Sequence, residues 1–131
     1  MKRILLDSSF SMLSHAMGKT KVVANAESLP FPSNSFSFIS AIGLIEYLPQ
    51  PEKLLAETMR VSKSGAWFLF TSSPKTLANM CRRLLGAKLF LRDDEEIAAL
   101  LMAAHFQIVR SSRTFMQSQW LVCKAESTLA F

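Results

Sequence analysis

The chain has 131 residues, half of them hydrophobic and 19% charged, which suits one folded domain and excludes a disordered polymer. Its two cysteines are too few for a disulfide scaffold, and its net charge of +5 is spread without the basic-aromatic stripe of a nucleic-acid binder. Only four glycines occur, Gly18, Gly43, Gly65 and Gly86, no two closer than 21 positions (86 minus 65), so the sequence holds no G-x-G nucleotide loop and no P-loop.

Ile4 to Leu6 is a short apolar run closed by Asp7 and reads as a buried strand. Ser9 is a candidate helix cap, with Leu13, Ala16 and Met17 on one face and Gly18 as the stop. Lys21 to Ala24 reads as a second strand, and the prolines at 30 and 32 place a loop after it. Phe36 to Leu44 is rich in β-prone residues and reads as a third strand. Pro51 suits the first position of a helix running to about Val61, with Glu57 and Arg60 spaced to pair on its surface. Lys63-Ser64-Gly65 reads as a turn, and Ala66 to Thr71 as a strand buried on both faces.

The second half differs. Leu77, Met80, Cys81, Leu84 and Leu85 form an apolar stripe on a helix expected from Thr76 to about Leu89. Asp93 and Glu96 have capping-box spacing before a helix with Ile97, Leu100, Leu101 and Ala104 on one face. Phe106 to Arg110 and Trp120 to Lys124 read as an antiparallel pair at a sheet edge. The alternation of strands and helices argues for an α/β fold. One domain over residues 1–126 with a loose tail at 127–131 is the expected organisation. No stretch is long and apolar enough for stable membrane insertion, and no His or Cys pair has metal-ligand spacing, so a cytoplasmic, metal-free protein is expected.

Four segments carry a resemblance. Asp7-Ser8-Ser9-Phe10-Ser11-Met12-Leu13 is similar to a D-x-S-x-x-M-L segment, and Asn25 to Phe36 to a D-A-x-x-L-P-F-x-D-x-S-F segment. Glu46 to Lys53 resembles an H-h-h-x-D-P region, and Glu57 to Ala66 resembles E-h-x-R-V-L-K-P-G-G before a strand. In register, these resemble the class I S-adenosylmethionine-dependent methyltransferases, in the subgroup called type 11. The resemblance implies a Rossmann-like three-layer architecture, with a mostly parallel sheet, helices on both faces and an antiparallel C-terminal hairpin. It implies S-adenosylmethionine as cofactor and in-line methyl transfer to a small-molecule acceptor.

By that resemblance, Asp7 takes the ribose hydroxyls; as a bare residue it also suits a helix start. Asn25, Ala26 and Glu27 fall where the family holds the adenine edge, and Asn25 reads equally as a loop asparagine. Leu29 flanks the adenine or packs in the core. Gly43 and Leu44 end a strand where the methionine part would approach, or Gly43 relieves a bend. Glu46 and Tyr47 follow that strand, as substrate-facing groups or a solvated loop. His15 and His105 read as structural.

A ribose-binding acid stands about 20 residues after its glycine loop. Counting back from Asp7, the family's first strand and loop would precede Met1, so the chain reads as a methyltransferase domain truncated at its N-terminus. A non-catalytic relic or partner subunit is the alternative. Without the first strand, the neighbouring strands are expected to close up directly, or a homodimer partner or a front half from another chain to cover the edges. The helix from Thr76 reads as a lid or interfacial helix for an apolar acceptor, or more simply as a packed helix with solvated arginines.

Overall fold

A computed structural model describes the backbone of residues 4–7 and 20–23, and residues 25–126 with their side chains. The expected helix capped by Ser9, His15 and the tail at 127–131 lie outside the described residues. The described residues form six strands: β1 (Ile4–Asp7), β2 (Thr20–Val23), β3 (Phe36–Ala41), β4 (Ser62–Ser72), β5 (Phe106–Arg113) and β6 (Ser118–Lys124). The helices among the described residues are α1 (Pro51–Val61), α2 (Leu77–Leu84) and α3 (Asp94–Ala103), with a 3-10 turn at Ile45–Tyr47.

β3, β4, β6 and β5 form a mixed sheet in that order. β3 runs parallel to β4, while β6 is antiparallel to both β4 and β5, which gives the expected hairpin at the edge. The architecture is α/β and Rossmann-like. β1 and β2 pair in parallel as a separate two-stranded sheet. Direct closure of β1 onto β3 is therefore not observed: among the described residues β3 has a ladder only to β4.

The core lies on one face of the mixed sheet. Leu54 and Leu55 of α1 and Ile97 and Leu101 of α3 bury against Phe68, Phe70, Phe106, Trp120 and Val122. Each fully buried side chain of this size contributes about 1.5–3 kcal/mol of transfer free energy. Phe68 stacks on Phe70 at 4.9 Å and Phe70 on Trp120 at 6.2 Å. The Trp120 indole N–H donates to Ser72 Oγ at 3.0 Å, so the ring is buried with its one polar atom satisfied.

Four local readings change. β4 is not buried along the whole of both faces: Trp67 and its ladder partner Phe38 are exposed, while Leu69 and Thr71, further along the Trp67 face, are half-buried and buried. Lys63-Ser64-Gly65 lies inside β4 as an irregularity, with the ladder to β3 skipping from Ser62 to Trp67 and Gly65 at φ +76°. α2 stops at Leu84, short of Leu89, because Gly86 adopts φ +105° and the amides of Gly86 and Ala87 turn back to the Arg83 and Arg82 carbonyls. Only half of the capping box forms: Asp93 makes no side-chain capping bond, while the Glu96 carboxylate accepts from the Asp93 backbone N–H and also pairs with Lys75 Nζ at 2.6 Å. His105 takes φ +68°, the left-handed position that glycine usually fills.

Candidate functional site

The site is the carboxyl edge of the parallel pair β3 and β4, where open α/β sheets present ligands. β3 ends at Ala41, and the chain turns through Gly43 at φ +67°. The Gly43 N–H donates to the hydroxyl of Thr71, near the end of β4, at 2.9 Å, which ties the two strand ends together. A Cβ built at Gly43 would stand 3.9 Å from Glu46 Oε1, so space exists and the conformation is what favours glycine.

The following 3-10 turn places Glu46 and Tyr47 differently. Tyr47 is exposed, while Glu46 is only 5% exposed. Its Oε2 is buried without a hydrogen-bond partner among the described residues. Burial pushes the Glu46 carboxyl above the ordinary carboxylate value, against the pull of its own backbone N–H and of Arg82 and Arg92. The turn is pinned from far away in sequence. The Arg92 guanidinium donates to the carbonyls of Ile45 at 3.1 Å and Leu48 at 2.6 Å, and the Phe90 N–H to the Glu46 carbonyl at 2.7 Å. Burial lowers the Arg92 pKa from its usual value.

The loop after β2 is held by α1. The Arg60 guanidinium donates to the carbonyls of Leu29 at 3.0 Å and Phe31 at 2.8 Å and pairs with Glu57. Glu57 Oε1 in turn accepts from the Leu29 N–H at 2.9 Å. The Arg60 bond, first among its causes, holds the Glu57 carboxyl below its ordinary value. The helix pair seen in the sequence is thus a clamp on the L-P-F segment. Asn25 Oδ1 accepts the Glu27 N–H at 2.9 Å, closing a local turn with one of its lone pairs.

Of the site residues expected from sequence, Gly43, Leu44, Glu46 and Tyr47 come together on one turn, and Ala26 and Leu44 pack against the same core. Asn25, Glu27 and Leu29 sit on the clamped loop. Asp7 ends β1, opposite Val23, with no ladder joining it to this edge. Thr71, Arg92 and Asn79 were not singled out as site residues. Asn79 is fully buried: its amide donates to the carbonyls of Pro74 and Met116, both at 2.9 Å, and its Oδ1 accepts from Arg82 at 2.9 Å.

A sequence profile described as a methyltransferase domain matches residues 2–70, more than half the chain. The chain belongs to this methyltransferase family. No curated protein sequence matches it. Among solved structures, a SAM-dependent methyltransferase from Methanosarcina mazei superposes with a TM-score of 0.77 at 17% identity, over 95% of this chain and 82% of the other. A chain of the complex between the Haloferax volcanii Trm112 methyltransferase activator and a methyltransferase gives 0.80 at 14% identity, over 95% and 73%. Magnesium protoporphyrin IX methyltransferase from Synechocystis, solved with bound SAH, gives 0.64 at 12% identity, over 88% of this chain and 55% of the other. At these identities the likeness establishes the fold. The methyltransferase domain thus keeps the carboxyl edge of its sheet, with a buried carboxylate on it.

Proposed function

We propose that this methyltransferase domain takes part in transfer of a methyl group from S-adenosylmethionine to a small-molecule acceptor, and that Glu46 is its acceptor-facing group. The observation that carries the reading is the buried Glu46 carboxyl with an unused Oε2, beside Gly43 at the carboxyl edge of β3. A buried polar atom without a partner costs free energy, and a ligand donor would remove that cost.

The residues fit the cofactor at this edge. Gly43 offers backbone without a side chain, Leu44 an apolar flank, and the clamped loop of Asn25, Ala26, Glu27 and Leu29 the expected adenine side. Asp7 is the proposed ribose group. When bound, S-adenosylmethionine supplies an electrophilic methyl group. Glu46 would accept a hydrogen bond, or a proton, from the acceptor's O–H or N–H, and its raised pKa suits that task. Exposed Tyr47 would flank the acceptor. Arg92 keeps the turn in place and leaves the Glu46 side chain free of a local ion pair. Residues 1–126 would act as one domain in the cytoplasm.

Isothermal calorimetry with S-adenosylmethionine tests this reading. Binding in the micromolar range supports it, and Glu46→Gln should leave that binding intact while lowering methyl transfer. The second reading, a methyltransferase-like subunit that no longer holds the cofactor, is favoured by the missing ladder between β1 and β3. It predicts silence at millimolar cofactor.

A further inference from the structure

α2 is inverted relative to an ordinary packed helix. Its inward residue is Asn79, and its apolar stripe faces away: Leu77, Leu84 and Leu85 are 79%, 87% and 89% exposed, and Met80 and Cys81 are also exposed. At about 100° per residue these five positions form one continuous surface opposite Asn79. Phe115, 71% exposed, lies beside Met116 in the turn between β5 and β6, and Asn79 bonds the Met116 carbonyl, so the hairpin tip is fixed near the same helix.

The charge around this stripe is one-sided. From Ser73 to Arg92 there are five cations, Lys75, Arg82, Arg83, Lys88 and Arg92, and not one acid, which equals the whole chain's net charge of +5. Arg82 and Arg83 leave the helix on its two flanks. Arg82 is bonded to Asn79, but Arg83 and Lys88 are exposed and enter no ion pair among the described residues. Arg83 borders a shallow recess with Met80 and Leu84. A short apolar stripe with cations on its flanks matches a helix that lies in a bilayer interface. No helix among the described residues is long and apolar enough to cross a membrane.

We infer that α2 docks this protein on an anionic lipid surface, with Leu77, Met80, Leu84 and Leu85 in the headgroup boundary and Arg83 and Lys88 on lipid phosphates. A second copy of the chain would satisfy the leucines but would set the cations of one α2 against those of the other. An anionic surface satisfies both. The inference stands apart from methyl transfer, since it needs neither cofactor nor acceptor.

The test is co-sedimentation of the full chain with vesicles of phosphatidylcholine alone and of phosphatidylcholine mixed with phosphatidylglycerol. Binding should require the anionic lipid and weaken as salt rises. Arg83→Glu should weaken it at least about fivefold, following a contribution of about 1 kcal/mol per basic residue near the surface. Leu84→Asp with Leu85→Asp should abolish it, and because both side chains are exposed, circular dichroism should be unchanged. Failure to sediment with anionic vesicles would overturn the inference, as would equal binding to neutral ones. A dimer split by Leu84→Asp, without vesicle binding, would overturn it in favour of a second copy.

Discussion

Replacing Asn79 by Asp changes one NH2 group into an oxygen and tests why α2 sits as it does. The native amide donates two hydrogen bonds, to the Pro74 and Met116 carbonyls, and accepts one from Arg82, in a site without solvent exposure. A carboxylate can donate neither of the first two. Losing two net hydrogen bonds costs about 1 kcal/mol each, and leaving two acceptors unpaired adds about 1 kcal/mol or more apiece. The charge-assisted bond from Arg82 offsets part of this, so the expected loss is about 3 kcal/mol at neutral pH. That is a large share of a domain stability of about 5–15 kcal/mol. The loss should shrink as pH falls, because a protonated carboxyl regains one donor and burial among carbonyls raises the new group's pKa. Urea unfolding followed by circular dichroism at neutral and acid pH measures both effects. A shift below about 0.5 kcal/mol at neutral pH would refute the placement of Asn79 as the inward residue.

Glu46→Gln should stabilise the fold at neutral pH. Because burial raises the folded-state pKa of Glu46 above 4.5, its contribution is most favourable below that value and is lost as pH climbs through the raised one. Melting curves of the two proteins should therefore converge in acid and separate above it, and parallel curves would argue against a buried carboxyl. Gly43→Ala should cost about 1–2 kcal/mol in thermal unfolding, from its φ of +67° rather than from a clash. Trp120→Phe removes the bond to buried Ser72 and should cost about 1–2 kcal/mol by urea titration; adding Ser72→Ala should recover part of it.

The elements were legible where one local pattern decides them. Pro51 at a helix start, the apolar run of β4 and the strand pair expected at 106–110 and 120–124 all sit where spacing and turn residues put them, the pair extending to Arg113 and from Ser118. The L-P-F and E-h-x-R-V segments were each recognisable, but their connection was not, since Arg60 bonds carbonyls 29 and 31 positions away. The burial of Glu46 has the same origin: Phe90 and Arg92, more than 40 residues later, enclose the turn. Periodicity found the two faces of α2 and could not say which one turns inward. That depended on two carbonyls, one of them in the β5–β6 turn.

The position of β6 has a consequence for how the chain comes to be made. β6 lies between β4 and β5, so the strand that joins the two halves of the mixed sheet is the last one in the chain order. A nascent polypeptide halted before Ser118 would have Phe68 and Phe70 without Trp120 and Val122, and a β4 open along one side. Lys124, the final residue of β6, then fastens the far end of α1 by donating to the carbonyls of Met59 and Ser62. The sheet is thus completed only after translation has passed residue 124, and until then its open strand is exposed to chaperones and to mispairing.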